Sequence, residues 1–93
     1  MTDTKWALIL GASSGFGEGA ARALARAGYD IVGVHLDRKA GLEHVAEIRR
    51  DIEAMGGGRK TLYFNINAAD EAKRNEVLAE LAAQKLNIAV LLH

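Results

Sequence analysis

The spacing of apolar and polar residues changes repeatedly along the chain, and the changes predict alternating strands and helices. Residues 5–10 are apolar on both faces, as in a central parallel strand covered by helices on each side. Between residues 42 and 55, apolar side chains recur every three or four positions, which indicates one stripe of an amphipathic helix. The pattern predicts strands at 5–10, 30–36, 61–66 and 87–92, and helices at 16–27, over the stripe at 42–55, and at 69–85.

The predicted helices carry their own signals for burial and termination. Gly28 follows the alanine-rich first helix as a C-cap, where glycine tolerates a left-handed conformation. Asp70 stands near the start of the third helix, where the helix dipole favours an anion. The buried stripes are expected to be formed by Leu42, Val45, Ile48, Ile52 and Met55 in the second helix and by Val77, Leu78 and Leu81 in the third.

The resulting order, βαβαβαβ, predicts an α/β fold with a parallel sheet and right-handed crossovers. A doubly wound, Rossmann-type dinucleotide-binding domain consists of two such halves. Residues 1–93 are therefore interpreted as the N-terminal half of a dinucleotide-binding domain, a fragment from which the remainder is absent.

Composition narrows the function classes. The 12 basic and 12 acidic residues cancel, so there is no electrostatic reason to expect nucleic acid or an anionic membrane as a partner. Cysteine is absent, which excludes disulfides, thiolate catalysis and cysteine-ligated metals. No apolar run reaches membrane-spanning length and no signal peptide precedes the first strand, so a cytoplasmic location is expected.

A glycine-rich loop joins the first strand to the first helix and is the main candidate site. Backbone amides reach a pyrophosphate only where no Cβ blocks the approach, which selects glycine. The N–H groups of the first helical turn then face the phosphates, and serine hydroxyls add donors to phosphate or ribose oxygens. The predicted phosphate-binding residues are Gly11, Ser13, Ser14, Gly15, Phe16 and Gly17.

Other interpretations of these residues are weaker. The glycines alone would also suit a tight turn, but the apolar strand before them and the helix after them favour phosphate binding. A Walker-type P-loop is excluded because no Lys-Ser or Lys-Thr follows the last glycine. The three histidines lie on different elements without carboxylates at ligand spacing, so no metal site is expected.

Gly11-Ala12-Ser13-Ser14-Gly15-Phe16-Gly17 resembles the T-G-x-x-x-G-x-G fingerprint of the short-chain dehydrogenase/reductases. The resemblance extends over essentially the whole chain. Asn65-Ile66 is placed like the family's Asp-Val after the third strand, and His93 stands where the family has the first asparagine of N-N-A-G. The family therefore implies adenine contact at Asn65 and Ile66, and a cofactor-binding position at His93.

The chain also departs from the family pattern. Leu10 replaces the usual threonine before the first glycine, and Asn65 replaces an aspartate, although its amide oxygen can still accept a hydrogen bond. The ending Val-Leu-Leu-His is closer to the enoyl-thioester reductases of the same superfamily. An enoyl-thioester reductase is thus one alternative, and a non-catalytic dinucleotide-binding module is another.

The end of the second strand bears on the choice between NAD(H) and NADP(H). By count from Gly28, His35 takes the position that is usually acidic. If the strand runs long, Asp37 is a ribose acceptor, about 20 residues past the last glycine. If it ends earlier, Arg38 and Lys39 can pair with a 2′-phosphate. The balance slightly favours NADP(H).

The resemblance implies an oxidoreductase that passes hydride between nicotinamide and a carbonyl or alcohol substrate. In that family a tyrosine, a lysine four residues later and a serine carry the chemistry. Tyr63 has no lysine four residues on, so residues 1–93 contain no catalytic residue of that pattern. A small-molecule substrate and a homo-oligomeric state are expected of the full-length protein.

Overall fold

The computed structural model describes residues 4–13, 15–55, 58–67 and 69–92. Strands and helices alternate as the residue pattern predicts. The elements are β1 (Lys5–Leu10), α1 (Gly15–Arg26), β2 (Asp30–His35), α2 (Lys39–Glu53), β3 (Thr61–Asn65), α3 (Glu71–Ala83) and β4 (Asn87–Leu92).

The strands form one parallel sheet in the order β3-β2-β1-β4. The first strand therefore lies between two neighbours, as its two apolar faces predict. Because parallel strands all end at the same edge, the loops after β1, β2 and β3 come together there. This arrangement is the Rossmann-type α/β fold, which places ligands at the carboxyl ends of the strands.

Several element ends differ from the predicted ones by one or two residues. β2 stops at His35 instead of residue 36, and β3 stops at Asn65. The third helix begins at Glu71, since the Asp70 carboxylate accepts the Lys73 N–H at 3.2 Å as an N-cap. At its other end, Lys85 has a φ of 55° and leaves the helical region.

The C-terminus of α1 matches the glycine cap predicted from the sequence. Gly28 has a φ of 111°, and its N–H donates to the Ala25 carbonyl at 3.1 Å. The Tyr29 N–H turns back to the Leu24 carbonyl at 3.0 Å. These bonds satisfy carbonyls that the end of the helix would otherwise leave without donors.

Apolar side chains bury both faces of the sheet. On one face, α1 and α2 enclose a cluster of Ala7, Ile9, Ala12, Ala21, Ala25, Ile31, Ile48 and Ile52. On the other face, α3 covers Trp6, Leu8, Val32 and Val34 with Val77 and Leu81. We call these the α1/α2 face and the α3 face.

Two residues predicted to be buried are not. Leu78 is 50% exposed, because Val77 and Leu81, four positions apart, form the contact row of α3 and Leu78 lies about 100° around the helix from Val77. Leu42 is 41% exposed, and the buried stripe of α2 consists of Val45, Ile48 and Ile52.

Candidate nucleotide-binding site

The glycine loop turns sharply at the end of β1 and is tied to the neighbouring strand. Gly11 has a φ of 76°, a left-handed conformation that favours glycine. The N–H groups of Gly11 and Ala12 both donate to the Val34 carbonyl, at 2.8 and 3.1 Å. These bonds hold the loop against the end of β2.

The first turn of α1 packs directly against this loop. A Cβ on Gly17 would lie 1.9 Å from the Gly11 carbonyl oxygen, so only glycine allows the helix to approach so closely. Gly15 has a φ of 29°, which favours glycine, and a Cβ on it would meet nothing within 4 Å. The space beside Gly15 is therefore open to a ligand, and the side chain of Phe16 next to it is 80% exposed.

Asp37, just after β2, is held by polar groups from two other positions. Its Oδ2 lies 2.9 Å from Nδ1 of the buried His35. The pKa of the Asp37 carboxyl lies below its ordinary value, chiefly through the influence of the Ser13 hydroxyl in the glycine loop and then through the hydrogen bond to His35. Partial burial acts in the opposite direction.

The carboxylate of Asp37 lies over the first turn of α2. A Cβ on Gly41 would come 2.8 Å from Oδ1 of Asp37, so the absence of a side chain at Gly41 makes room for it. Neither His35 nor Gly41 is among the predicted site residues. The sequence signal for His35 is its position by count from Gly28, whereas the signal for Gly41 is its spacing, four residues after Asp37.

The side chain of Asn65, at the end of β3, forms two hydrogen bonds with the backbone of Asp37. Its Oδ1 accepts the Asp37 N–H at 2.9 Å, and its Nδ2 donates to the Asp37 carbonyl at 3.0 Å. The next residue, Ile66, donates its N–H to the His35 carbonyl at 2.8 Å. The ends of β2 and β3 are thus joined by main-chain and side-chain hydrogen bonds.

The remaining predicted residues lie at the same edge or outside the described ranges. Arg38 is exposed and occupies the N-cap position of α2 without a side-chain cap bond. Ile66 lines an apolar cavity of about 150 Å³ between the sheet and α3. Ser14 and His93 fall outside the described residues. The structure therefore brings Gly11, Ser13, Gly15, Phe16, Gly17, Asp37, Arg38, Asn65 and Ile66 to one edge of the sheet.

The described ranges also bear on metal binding and on membrane insertion. Within them, no group of three or more histidine, aspartate or glutamate side chains is arranged to hold a metal ion. None of the helices in those ranges has the length and apolarity needed to cross a bilayer.

Comparison with known proteins places this geometry in a family. The family model described as short chain dehydrogenase matches residues 5–93. The chain belongs to the short chain dehydrogenase family. Among curated proteins no significant match was found.

Several solved structures share the fold. L-sorbose reductase from Gluconobacter frateurii, complexed with NADPH and L-sorbose, superposes with a TM-score of 0.79 at 24% identity, over 96% of this chain and 32% of its own. A blue fluorescent protein from a metagenomic library, in complex with NADPH, gives a TM-score of 0.82 at 25% identity, over 96% and 35%. A protein described as a putative gluconate dehydrogenase from Agrobacterium tumefaciens superposes with a TM-score of 0.75 at 26% identity, over 96% of this chain and 33% of its own. This chain spans about a third of the length of these three proteins.

Proposed function

We propose that this chain binds the adenosine and pyrophosphate part of NADP(H), in preference to NAD(H), for an oxidoreductase that transfers hydride between nicotinamide and a carbonyl or alcohol substrate. The observation that carries the proposal is the packing of Gly17 on the Gly11 carbonyl. That contact brings the loop beside the first turn of α1, whose N–H groups have no acceptor within the helix. A pyrophosphate beside Gly15 supplies those acceptors and benefits from the helix dipole.

The preference for NADP(H) rests on the end of β2. The strand stops at His35, which is the shorter of the two alternatives weighed from the sequence. The Asp37 carboxylate lies 2.9 Å from Nδ1 of His35, while the neighbouring Arg38 is exposed. The guanidinium of Arg38 is suited to pair with a 2′-phosphate. The metagenomic relative at 25% identity binds NADPH.

The hydride transfer is proposed from family membership. The relatives include a sorbose reductase and a protein described as a gluconate dehydrogenase. Residues 1–93 contain no Tyr-x-x-x-Lys, because Tyr29 is followed four residues later by Gly33, and Tyr63 by Asn67. We therefore assign these residues to cofactor binding, and assign the proton transfer, the small-molecule substrate and assembly into a homo-oligomer to the full-length protein.

The phosphate site is tested by a matched pair of glycine variants. Gly15→Val fills the open space beside the loop and also strains the backbone, since Gly15 has a φ of 29°. Gly19→Val adds the same side chain four residues later on α1, where a Cβ meets nothing within 4 Å and φ is not positive. We expect Gly15→Val to abolish NADP⁺ binding by calorimetry, and Gly19→Val to change it less than about threefold. Circular dichroism should show the secondary structure largely retained in both variants. Equal affinities of Gly15→Val and the unaltered protein would contradict the site.

The cofactor preference is tested at Arg38. Arg38→Ala should weaken NADP⁺ binding about tenfold, the loss expected for one charge-assisted contact, and leave NAD⁺ binding nearly unchanged. Arg50→Ala serves as the control, since Arg50 is an exposed arginine in the last turn of α2, away from the carboxyl ends of the strands. Equal losses for both cofactors in Arg38→Ala would contradict the preference.

A further inference from the structure

Four ionisable side chains link helix α1 to helix α2. The Glu18 carboxylate of α1 uses both of its oxygens: Oε1 lies 2.6 Å from Nε2 of His44 on α2, and Oε2 accepts from Nε of Arg22 at 3.1 Å. Nη1 of Arg22 in turn donates to Oδ2 of Asp51 on α2 at 2.8 Å. We call Glu18, Arg22, His44 and Asp51 the interhelix network.

The spacing of these residues in the sequence explains how they meet. Glu18 and Arg22 are four residues apart, so they lie on the same side of α1. His44 and Asp51 are seven residues apart, about two helical turns, and therefore share one side of α2. Each helix presents one acidic and one basic group, and each contact between the helices joins an acidic group to a basic one.

The network lies next to the beginnings of both helices. Glu18 directly follows Gly17, at the point where α1 packs on the glycine loop. His44 lies three residues after Gly41, where the Asp37 carboxylate comes over the first turn of α2. The network therefore joins the two helical segments that border the candidate nucleotide-binding site.

The carboxylate of Glu18 responds to both of its partners. The pKa of Glu18 lies below its ordinary value of 4.5, chiefly because of the hydrogen bond with His44, and the bond from Arg22 adds to this. Partial burial acts in the opposite direction. An ionised carboxylate only accepts hydrogen bonds, so both neighbours act as donors. The side chains of Glu18 and Arg22 are only 24% and 20% exposed, which makes their interaction stronger than that of a fully solvated pair.

Other ionisable groups surround the network. Its charges act on Asp37 in the loop after β2 and on Tyr63 of β3, whose ring centroid lies 5.9 Å from the guanidinium carbon of Arg49. Tyr63 titrates only at alkaline pH, so in acid the groups to be separated from Glu18 are the other carboxyls. Glu18→Gln achieves this separation, because glutamine has the same size and does not titrate.

We propose that the interhelix network is an acid-sensitive contact that holds the first turns of α1 and α2 together and that opens when Glu18 takes up a proton. Above the ordinary pKa of a glutamate, the carboxylate keeps both contacts and stabilises the folded protein. As the pH falls through the lower value of the folded state, this stabilisation is lost, since a neutral carboxyl no longer attracts Arg22 or a protonated His44. The inference goes beyond the proposed function and does not depend on it.

Two double-mutant cycles at pH 7 test whether the network joins the helices. Glu18→Ala and His44→Ala form one cycle, and Arg22→Ala and Asp51→Ala form the other, with urea unfolding as the measurement. In each cycle we expect the two substitutions together to change the equilibrium constant of unfolding about threefold less than the product of the single changes. Changes that simply multiply in either cycle would overturn the network.

The acid sensitivity is tested with Glu18→Gln. At pH 7 the unfolding constant of the variant should be about threefold above that of the unaltered protein, and this ratio should approach one between pH 5 and pH 3. Glu76→Gln on α3 is the matched control, because the side chain of Glu76 is 69% exposed and its Oε2 lies 3.9 Å from Nζ of Lys73. The control should change the constant less than about 1.5-fold at every pH. A ratio for Glu18→Gln that stays constant as the pH falls would overturn the proposal.

Hydrogen exchange separates the network from the effect of the helix dipole. Glu18 lies in the first turn of α1, where the dipole alone favours an anion. Loss of the dipole interaction would speed amide exchange in α1 only, whereas opening of the network should also speed it about threefold in residues 43–46 of α2. Unchanged exchange in α2 of Glu18→Gln at pH 7 would refute the inference. Because none of these measurements uses a nucleotide, that result would leave the proposed function in place.

Discussion

The α1/α2 face and the α3 face of the sheet are closed in different ways. The α1/α2 face is lined by small side chains such as Ala7, Ala21 and Ala25, and all three are fully buried. Small residues let two helices come close to the strands. The α3 face carries larger residues, including Trp6 and Leu8, beneath a single helix.

Two large apolar side chains are exposed on the α3 face. Leu91 on β4 is 63% exposed, and Leu78 on α3 is half exposed. Both line the apolar cavity at the carboxyl ends of the strands. The glycine loop, His35 and Gly41 belong instead to the α1/α2 side. The face that is most completely closed is thus the one that positions the polar groups of the candidate site, since a restrained site needs rigid support.

The largest expected effect compares equivalent truncations on the two faces. Ile48→Ala, at a fully buried position on the α1/α2 face, should lower the free energy of unfolding by about 4 kcal/mol. Leu81→Ala on the α3 face should cost about 2 kcal/mol, because Leu81 is 5% exposed on the single helix of that face and its surroundings can relax into the space that the truncation leaves. Urea denaturation followed by circular dichroism measures both. A larger loss for Leu81→Ala would show that the comparison of the faces is wrong.

A smaller effect is expected where α1 meets the loop. Gly17→Ala forces the Gly11 carbonyl or the helix to move and should cost about 2–3 kcal/mol, together with most of the affinity for NADP⁺. Gly19→Ala is the matched control, since its Cβ enters open space. It should stabilise the helix by about 0.5–1 kcal/mol and leave binding intact. Thermal unfolding and calorimetry distinguish the two variants, and similar behaviour of both would contradict the close packing at Gly17.

The smallest effect concerns Tyr63, whose ring covers Gly33 on the α1/α2 face. A Cβ on Gly33 would lie 2.5 Å from the Tyr63 ring. Within the described ranges, the Tyr63 hydroxyl is buried without a hydrogen-bond partner. Tyr63→Phe should therefore stabilise the protein at neutral pH by about 1 kcal/mol, because it removes a polar group that folding strips of water. Equal or lower stability of the variant in urea denaturation would contradict this.

The same residue gives a pH dependence with a definite sign. Burial raises the pKa of Tyr63 to about 12, above its ordinary value of 10.0. Between these two values the unfolded chain releases a proton that the folded protein keeps, so Tyr63 makes the free energy of unfolding fall as pH rises. The stability advantage of Tyr63→Phe should consequently widen from pH 10 to pH 12. A constant difference across that range would show that the hydroxyl is not buried.

The fold could be predicted almost completely from the residue pattern. Apolar runs and helical stripes are local properties of the chain, and they placed every strand and helix to within about two residues at the ends that were predicted. The exceptions lie where a contact decided the outcome. Leu78 is as apolar as a core residue, yet it is half exposed. The orientation of α3 on the sheet determines that Val77 and Leu81 face inward instead.

The candidate site likewise has one part that the sequence predicts and another that only the tertiary structure determines. The amino acids of residues 11–17 by themselves determined a tight turn whose glycines let the backbone come close to its neighbours. The sequence sufficed here because the absence of a Cβ acts within this short segment. What only the tertiary structure decided is the surroundings of Asp37. Ser13, His35 and Asn65 reach it because parallel strands bring the ends of β1, β2 and β3 to one edge of the sheet. Hydrogen bonds between such segments depend on strand order and register, and these are set when the whole sheet packs.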